Sequence, residues 1–350
     1  MEIFSVSIYQ ILIWIFIISY FLKNKYKFDK KMIIFEMFIF FQMILIYMYD
    51  NEKILLLNKM VPESWYVLGG WKRFDYFLGK YEAIAQLVHI TEGILIYFLI
   101  KKESLKIDLK KIKKYLFVVL LLQYGFIFYQ KYILNDYWGS GTVGHIQAIG
   151  SFCLIIIITF GFKTKKDIFI SILALLLIIF SKKSSSLVTG ILLILLYNFP
   201  NFLIKVSLLA NIIISILIPC CPVLIKYLYE IINFLLKKGS FYTLNMRILI
   251  WKDVFIEIIR KNLFLGTNGI ITSFPENITW YILQPYGLLG IIIFVYIFYT
   301  KKSSKEYYLL IGVLVLQGIS YYGFIVPPIS YTFFGLLGYY RNQNKNEEDN

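Results

Sequence analysis

The feature that most constrains this chain is the recurrence of apolar runs of roughly 17 to 23 residues, the length a helix needs to cross a hydrocarbon core of about 30 Å. In that medium each backbone N–H and C=O has to be satisfied within the protein, and a helix does so inside one segment. Hydrophobic residues make up 59% of the sequence and the mean hydropathy is +0.69, which excludes the soluble and disordered classes. Runs near 3–22, 32–49, 83–100, 115–134, 146–162, 168–181, 186–199, 206–225, 277–299, 307–325 and 329–340 predict the spans. The expected fold is therefore an all-α integral membrane protein with about 11 transmembrane helices. Residues 1–225 hold the N-terminal helices, 226–276 form one long extracytoplasmic loop containing an amphipathic helix, and 277–350 hold the C-terminal helices and tail. The first run carries Glu2 in place of a basic start and is followed by no small-residue cleavage site, so it reads as a retained helix and not a signal peptide.

The net charge of +15 is carried largely by lysines in short inter-span loops: KNKYKFDKK (23–31), KKESLKIDLKKIKK (101–114), KTKKD (163–167) and KKSSKE (301–306). These fall on one side by parity, which the positive-inside rule makes cytoplasmic, with the N-terminus outside and the tail RNQNKNEEDN inside. Anionic membrane lipids are the expected partners of such loops, and no nucleic acid is implied. Basic residues on the other side depart from the bias: Lys182, Lys183, Lys237, Lys238, Arg247, Arg260 and Lys261. Long loops translocate regardless of charge, which accounts for 226–276. Lys182 and Lys183 sit in a tight turn between two apolar spans, and binding of an anion explains them as well as topology does.

Within the long loop, a helix over Arg247–Asn262 places Ile248, Trp251, Phe255, Ile258 and Ile259 on one side and Asp253, Glu257, Arg260 and Lys261 on the other. Arg247 leaves the helix from the apolar side beside Trp251, where a guanidinium needs an anionic partner or a wet cavity. The chain has no P-loop, GxGxxG, HExxH or G-x-S-x-G motif, and its three cysteines (Cys153, Cys220, Cys221) have no ligand spacing. No metal and no other cofactor is expected. Of the two histidines, His89 lies three residues before Glu92 on one helical face, spaced either for a structural hydrogen bond or for a proton relay. His145, in a loop, is a candidate for hydrogen bonding a ligand. Trp251, Trp280, Tyr281 and the aromatics of 65–78 fit either an interfacial belt or a stacking surface for sugar rings.

Four segments, in order, resemble the O-antigen ligase and polysaccharide polymerase (Wzy) superfamily. YWGSGTVGHIQAIGSF (137–152) is similar to that family's glycine-rich entry into a small-residue helix, and SKKSSSLVTGILLIL (181–195) to its Ser-Arg segment. MRILIWKDVFIEIIRKNLFLGTNG (246–269) resembles the R-x-x-x-W helix and the glycine turn after it; ENITWYILQPYGLLG (276–290) resembles the His-Asn stretch opening the next span, with Gly287 and Gly290 matching. Lys182 and Lys183 stand where the family has Arg, keeping the charge without the planar fork, and Glu276 stands before Asn277 where ligases have His.

The resemblance implies a polymerase that moves glycan from a polyprenyl diphosphate onto an acceptor sugar hydroxyl at the outer face of the bacterial cytoplasmic membrane. It implies the lipid-linked oligosaccharide as substrate, with flippase and chain-length regulator proteins as partners. Arg247, then Lys182 or Lys183, would stabilise charge developing on the diphosphate; Glu276 would be the general base or, alternatively, a carboxylate at a helix N-terminus. Trp251, Arg260, Asn277 and His145 complete the expected substrate contacts. The rival readings are an O-antigen-ligase-type transferase and a flippase for the same lipid-linked glycan.

Overall fold

The computed structural model describes residues 8–24, 29–48, 80–135, 146–181, 184–220, 227, 240–267, 277–320, 323–325 and 329–343. Among them are twelve helices and no strands. They are α1 (Ile8–Asn24), α2 (Lys30–Met48), α3 (Lys80–Glu103), α4 (Leu109–Phe128), α5 (Ile146–Phe160), α6 (Lys165–Phe180), α7 (Ser184–Leu195), α8 (Pro200–Asn211), α9 (Ser240–Lys261), α10 (Ile278–Phe298), α11 (Lys305–Gly318) and α12 (Ile329–Arg341). Helix α4 runs on through a π turn at Tyr129–Ile133, and α8 through a π turn at Ile212–Leu217 into Ile218–Cys220. Over the described residues each predicted span falls mainly on one helix, with residues 3–7, 49, 221–225 and 321–322 of those spans outside the described residues, and the predicted amphipathic helix is α9. Boundaries moved where capping decided them: Pro200 opens α8 at its first turn, six residues before the predicted start, because proline lacks an N–H that this position leaves unbonded anyway.

Among the described residues, four helical segments are long and apolar enough to cross a membrane: Lys30–Met48, Leu109–Ile133, Pro200–Cys220 and Ile278–Phe298. Ile11–Lys23, Ala148–Phe160 and Ser184–Leu195 are apolar but shorter. Their outward faces carry large apolar side chains, including Phe40 at 67% exposure, Leu195 at 67% and Phe202 at 56%. So much exposed apolar surface is unsuited to water and suited to lipid, and the chain is a membrane protein.

Apart from α9, the helices alternate in direction, as the contacts at one end of the bundle establish. Lys101 pairs with Asp29 at 2.7 Å, joining the α1–α2 loop to the end of α3. Lys113 Nζ reaches Asp167 Oδ1 at 3.3 Å and the Phe160 carbonyl at 3.5 Å, joining α4 to the α5–α6 turn. Lys305 Nζ donates to Asn198 Oδ1 at 2.8 Å, joining the start of α11 to the end of α7. Lys31 Nζ donates to the carbonyls of Tyr296, Ile297 and Tyr299 at 2.6, 3.2 and 3.0 Å, covering the C-terminus of α10. Asn342 Nδ2 donates to the Lys101 carbonyl at 2.7 Å. The lysine-rich loops therefore meet at one end, and their cations sit on helix C-terminal carbonyls, where both the open acceptors and the dipole favour them.

Helices α3 and α12 pack along their length, tied by Tyr331 in the first turn of α12, whose hydroxyl donates to Glu92 Oε2 in the middle of α3 at 2.5 Å. His89 Nδ1 lies 3.5 Å from the same oxygen, so the expected histidine–glutamate pair is present, with a tyrosine that sequence spacing did not reveal. Cys153 is buried and, like Cys220, is a free thiol.

At the basic end, burial would raise the Asp29 carboxyl, but the hydrogen bonds from Lys101 and the Lys31 N–H, with both ammonium charges, outweigh it and hold the group below its ordinary 3.8. A depressed folded value means the stabilisation is complete above the ordinary value and is lost as pH falls through the lowered one. Thermal midpoints of detergent-purified protein should therefore drop as pH is taken below about 4, and Asp29→Asn should flatten that part of the profile. At neutral pH the same variant should cost no more than about 1 kcal/mol, because the pair is partly exposed.

Candidate functional site

At the end of the bundle opposite the lysine-rich loops, α10 begins with Asn277, which is 0% exposed. Its Oδ1 caps the helix, accepting from Thr279 N at 2.8 Å and Trp280 N at 3.3 Å. Its Nδ2 donates to Ser215 Oγ at 2.7 Å and to the Ile319 carbonyl at 2.9 Å. One side chain thus pins the start of α10 to the π turn of α8 and to the end of α11. Trp280 Nε1 donates to the Ser215 carbonyl at 2.7 Å, and Thr279 Oγ1 donates to Asn211 Oδ1 at 2.6 Å. Gln317, also fully buried, extends the seam by donating to Ser186 Oγ at 2.9 Å. These bonds link the start of α10 through α11 to the start of α7, two of the four segments that carry the resemblance.

Helix α9 lies beside α10 and runs in the same direction, with Trp251, Val254 and Ile258 buried against Trp280 and Leu283. Its apolar stripe follows the 251–254–258 spacing; Ile259, expected on that face, is 53% exposed because 80° of rotation separates it from Trp251. Past its C-terminus the chain turns at Asn262, whose Oδ1 accepts from Phe264 N at 2.9 Å and Leu265 N at 3.1 Å.

That turn docks into a break in α10. Pro285 has no N–H, and Gly287 adopts φ 60° and ψ −159°, so the helix stops and restarts there. In an unbroken helix Leu288 N would bond the Gln284 carbonyl. Here the Gln284 carbonyl accepts from Thr267 N at 2.7 Å and Thr267 Oγ1 at 2.9 Å, while Leu288 N and Leu289 N donate to the carbonyls of Leu263 and Phe264 at 3.1 and 3.1 Å. The 263–267 segment therefore supplies the bonds that the break removes. The contact is backbone on backbone and excludes side chains. A Cβ on Gly266 would lie 2.4 Å from the Gln284 carbonyl oxygen, and one on Gly287 would lie 2.4 Å from that of Phe264. Both glycines also have positive φ, at 67° and 60°.

The residues expected to act on substrate are placed as follows. Trp251 and Trp280 are each 1% exposed, so both are packing residues, leaving no ring face for a lipid headgroup or a sugar. Asn277 has both amide hydrogens and its carbonyl oxygen engaged inside the protein and serves to position α10. Arg260 is exposed in the last turn of α9, beside the Lys261–Glu257 ion pair at 3.2 Å. Arg247 lies within α9 one turn before Trp251, but its side chain is outside the description. Lys182, Lys183, His145 and Glu276 lie outside the described residues.

Ser215 and Gln317 were not singled out in the sequence. A serine and a glutamine inside apolar runs are their only signal, and many such residues merely bond their own helix. Among the described residues no group of His, Cys, Asp and Glu could hold a metal ion. No family model matches the chain, and neither does any curated protein or solved structure searched.

Gly266→Ala and Gly287→Ala should each destabilise the fold by about 3 kcal/mol or more, since each adds positive-φ strain to a backbone clash. Asn277→Ala should cost about 2 to 4 kcal/mol by removing a cap and stranding buried partners. Thermal unfolding followed by size-exclusion fluorescence in detergent measures both, with Arg260→Ala, exposed, as the variant expected to melt like wild type.

Proposed function

We propose that the chain is an oligosaccharide repeat-unit polymerase of the Wzy type, a metal-independent membrane glycosyltransferase. It takes glycan from a polyprenyl-diphosphate donor and joins it to an acceptor sugar hydroxyl. In this reading eleven helices cross the bacterial cytoplasmic membrane with the lysine-rich end inside, and the seam at Asn277 lies toward the outer face. The observation that carries the reading is the interlock between Gly266 and Gly287. Two segments of the resemblance, 246–269 and 276–290, meet there through their glycines.

The interlock also brings charge to a useful depth. Leu288 is ten residues into α10, roughly 15 Å along the helix from its start. Arg260 and Lys261, just before the docked turn, therefore lie below the outer end of the bundle. Lys261 has Glu257 there at 3.2 Å, whereas the exposed Arg260 guanidinium calls for water or an anion, and a lipid diphosphate in an aqueous vestibule supplies both. As the glycan leaves, negative charge develops on the diphosphate, and Arg247 and Arg260 on α9, with Lys182 or Lys183, stabilise it. Glu276, adjoining the cap residue of α10, is the base offered to the acceptor hydroxyl.

The flippase reading loses support from the same geometry. Transporters commonly aim the open N-terminus of a half-helix at an anionic substrate. In α10 that terminus is occupied by the carbonyls of Leu263 and Phe264.

Each charge-assisted hydrogen bond to the leaving diphosphate is worth about 1.5 to 3 kcal/mol, so Arg247→Ala and Arg260→Ala should each slow polymerisation about ten- to a hundredfold. The test is gene deletion complemented with each variant, reading surface-glycan length and the lipid-linked pool. Loss of a polymerase leaves single repeats on the surface. Long chains stranded on the carrier would indicate a ligase, and single repeats trapped inside a flippase. Wild-type chain lengths in both arginine variants would sink the site assignment.

A further inference from the structure

Helices α8, α10 and α11 enclose a groove of about 460 Å³ that no step of the proposed reaction uses. Its walls are apolar, with Ile204 and Leu208 from α8, Ile282 and Val295 from α10, and Ile311 from α11. The two long walls meet at both ends. At one, Asn277 bonds the Ile319 carbonyl at 2.9 Å; at the other, the Tyr307 hydroxyl donates to the Phe298 carbonyl at 2.5 Å. Between these ties the groove opens sideways, with Leu208 at 46% and Val295 at 59% exposure on its rim. From Thr279 to Thr300 it follows twenty-one residues, roughly 30 Å of helix, the depth of a hydrocarbon core. An opening of that shape on a lipid-facing surface receives a hydrocarbon chain.

Charge decides which end holds the headgroup. At the Thr279 end the polar lining residues bond within the protein: Thr279 Oγ1 to Asn211 Oδ1 at 2.6 Å, and Asn211 Nδ2 to the Val315 carbonyl at 3.2 Å. Neither carries charge. At the Thr300 end, Lys301 and Lys302 follow the lining directly and are exposed, and exposed Lys205 adjoins the lining residue Ile204. Lys305 stands behind them, 3.9 Å from the Tyr197 ring centroid and bonded to Asn198, and Glu306 is the neighbouring acid. The mouth is therefore net positive where the headgroups of that leaflet lie.

We propose that the groove binds an anionic phospholipid from the leaflet at the lysine-rich end. One acyl chain lies along α10 and α11, and the phosphate rests on Lys205, Lys301 and Lys302. The site holds this lipid whether or not the chain polymerises glycan. Its role is to fill the space between α10 and α11, and so to support the helix that carries the break.

The test uses detergent-purified full-length protein and native mass spectrometry, with phosphatidylglycerol and phosphatidylcholine of equal chain length as probes. Phosphatidylglycerol should be retained at least about tenfold better. A Lys205→Glu, Lys301→Glu, Lys302→Glu triple variant should erase that preference while still binding some of either lipid, and Leu208→Trp should reduce retention of both. All four substitutions are at exposed positions, and an unchanged elution profile and melting midpoint in lipid-free detergent verify folding. Equal retention of the two lipids by wild type, or a preference that survives charge reversal, would overturn the proposal. So would a polyprenyl monophosphate that displaces phosphatidylglycerol equally well from the wild type and the triple variant, since the groove would then serve an isoprenoid chain entering from the Thr279 end.

Discussion

A backbone buried away from water cannot leave its polar groups unbonded, and the break in α10 raises that demand in the interior of the bundle. The answer is supplied by a neighbour. Carbonyls from the turn after α9 accept from the restarted helix, and Thr267 donates to the carbonyl that the break leaves open. Everything else at that end follows. Helix α9 has to run beside α10, its apolar stripe has to face Trp280, and the chain has to return to Asn277 to begin the helix it has just capped.

The lysine-rich end and the seam at the start of α10 are held by different means. At the lysine-rich end, long cationic side chains bridge loops and cover helix C-termini, with partly exposed pairs such as Lys101–Asp29. Around the start of α10 the links are short, neutral and buried, running through Asn277, Ser215, Asn211 and Gln317, while elsewhere at that end Lys131 donates to the Phe180 carbonyl at the C-terminus of α6. A charged lattice tolerates screening and small displacement. A buried neutral network is intolerant of both loss and misplacement, because each stranded group has no water to turn to. The more exacting construction is thus found where the candidate site lies.

The order of helices was legible because an apolar run long enough for a helix is a local signal, read for each helix separately. The helices from α1 to α12 could be located without knowing their neighbours, and the parity of the lysine loops ordered their directions. The amphipathic face of α9 was legible for the same local reason. What stayed hidden depends on contacts between segments far apart in the chain. Gly266 and Gly287 could each be noted as glycines, but their mutual exclusion of a Cβ exists only across the α9–α10 contact. Tyr331 was unremarkable until α12 brought it to Glu92, and Gln317 until α11 brought it to Ser186. Trp251 and Trp280 invited a role at a surface, yet their indoles face each other's helices and are buried.

The π turn at Ile212–Leu217 adds a constraint of a different kind. Such a turn takes up residues that a regular α-helix would not need over the same rise. It sets the angle at which Ser215 meets Asn277 and Trp280, while Asn211, just before it, meets Thr279. Removing any one residue from the turn would leave its apolar character intact and let the helix close into regular form. The two sides would keep nearly their present phase, because the turn already absorbs the extra residue, but the Ser215 hydroxyl and carbonyl would leave the positions that Asn277 and Trp280 reach. Substitution within the turn changes a surface, whereas a deletion removes the bulge that presents Ser215 to the start of α10. In this stretch it is the number of residues, more than their identity, that the start of α10 depends on.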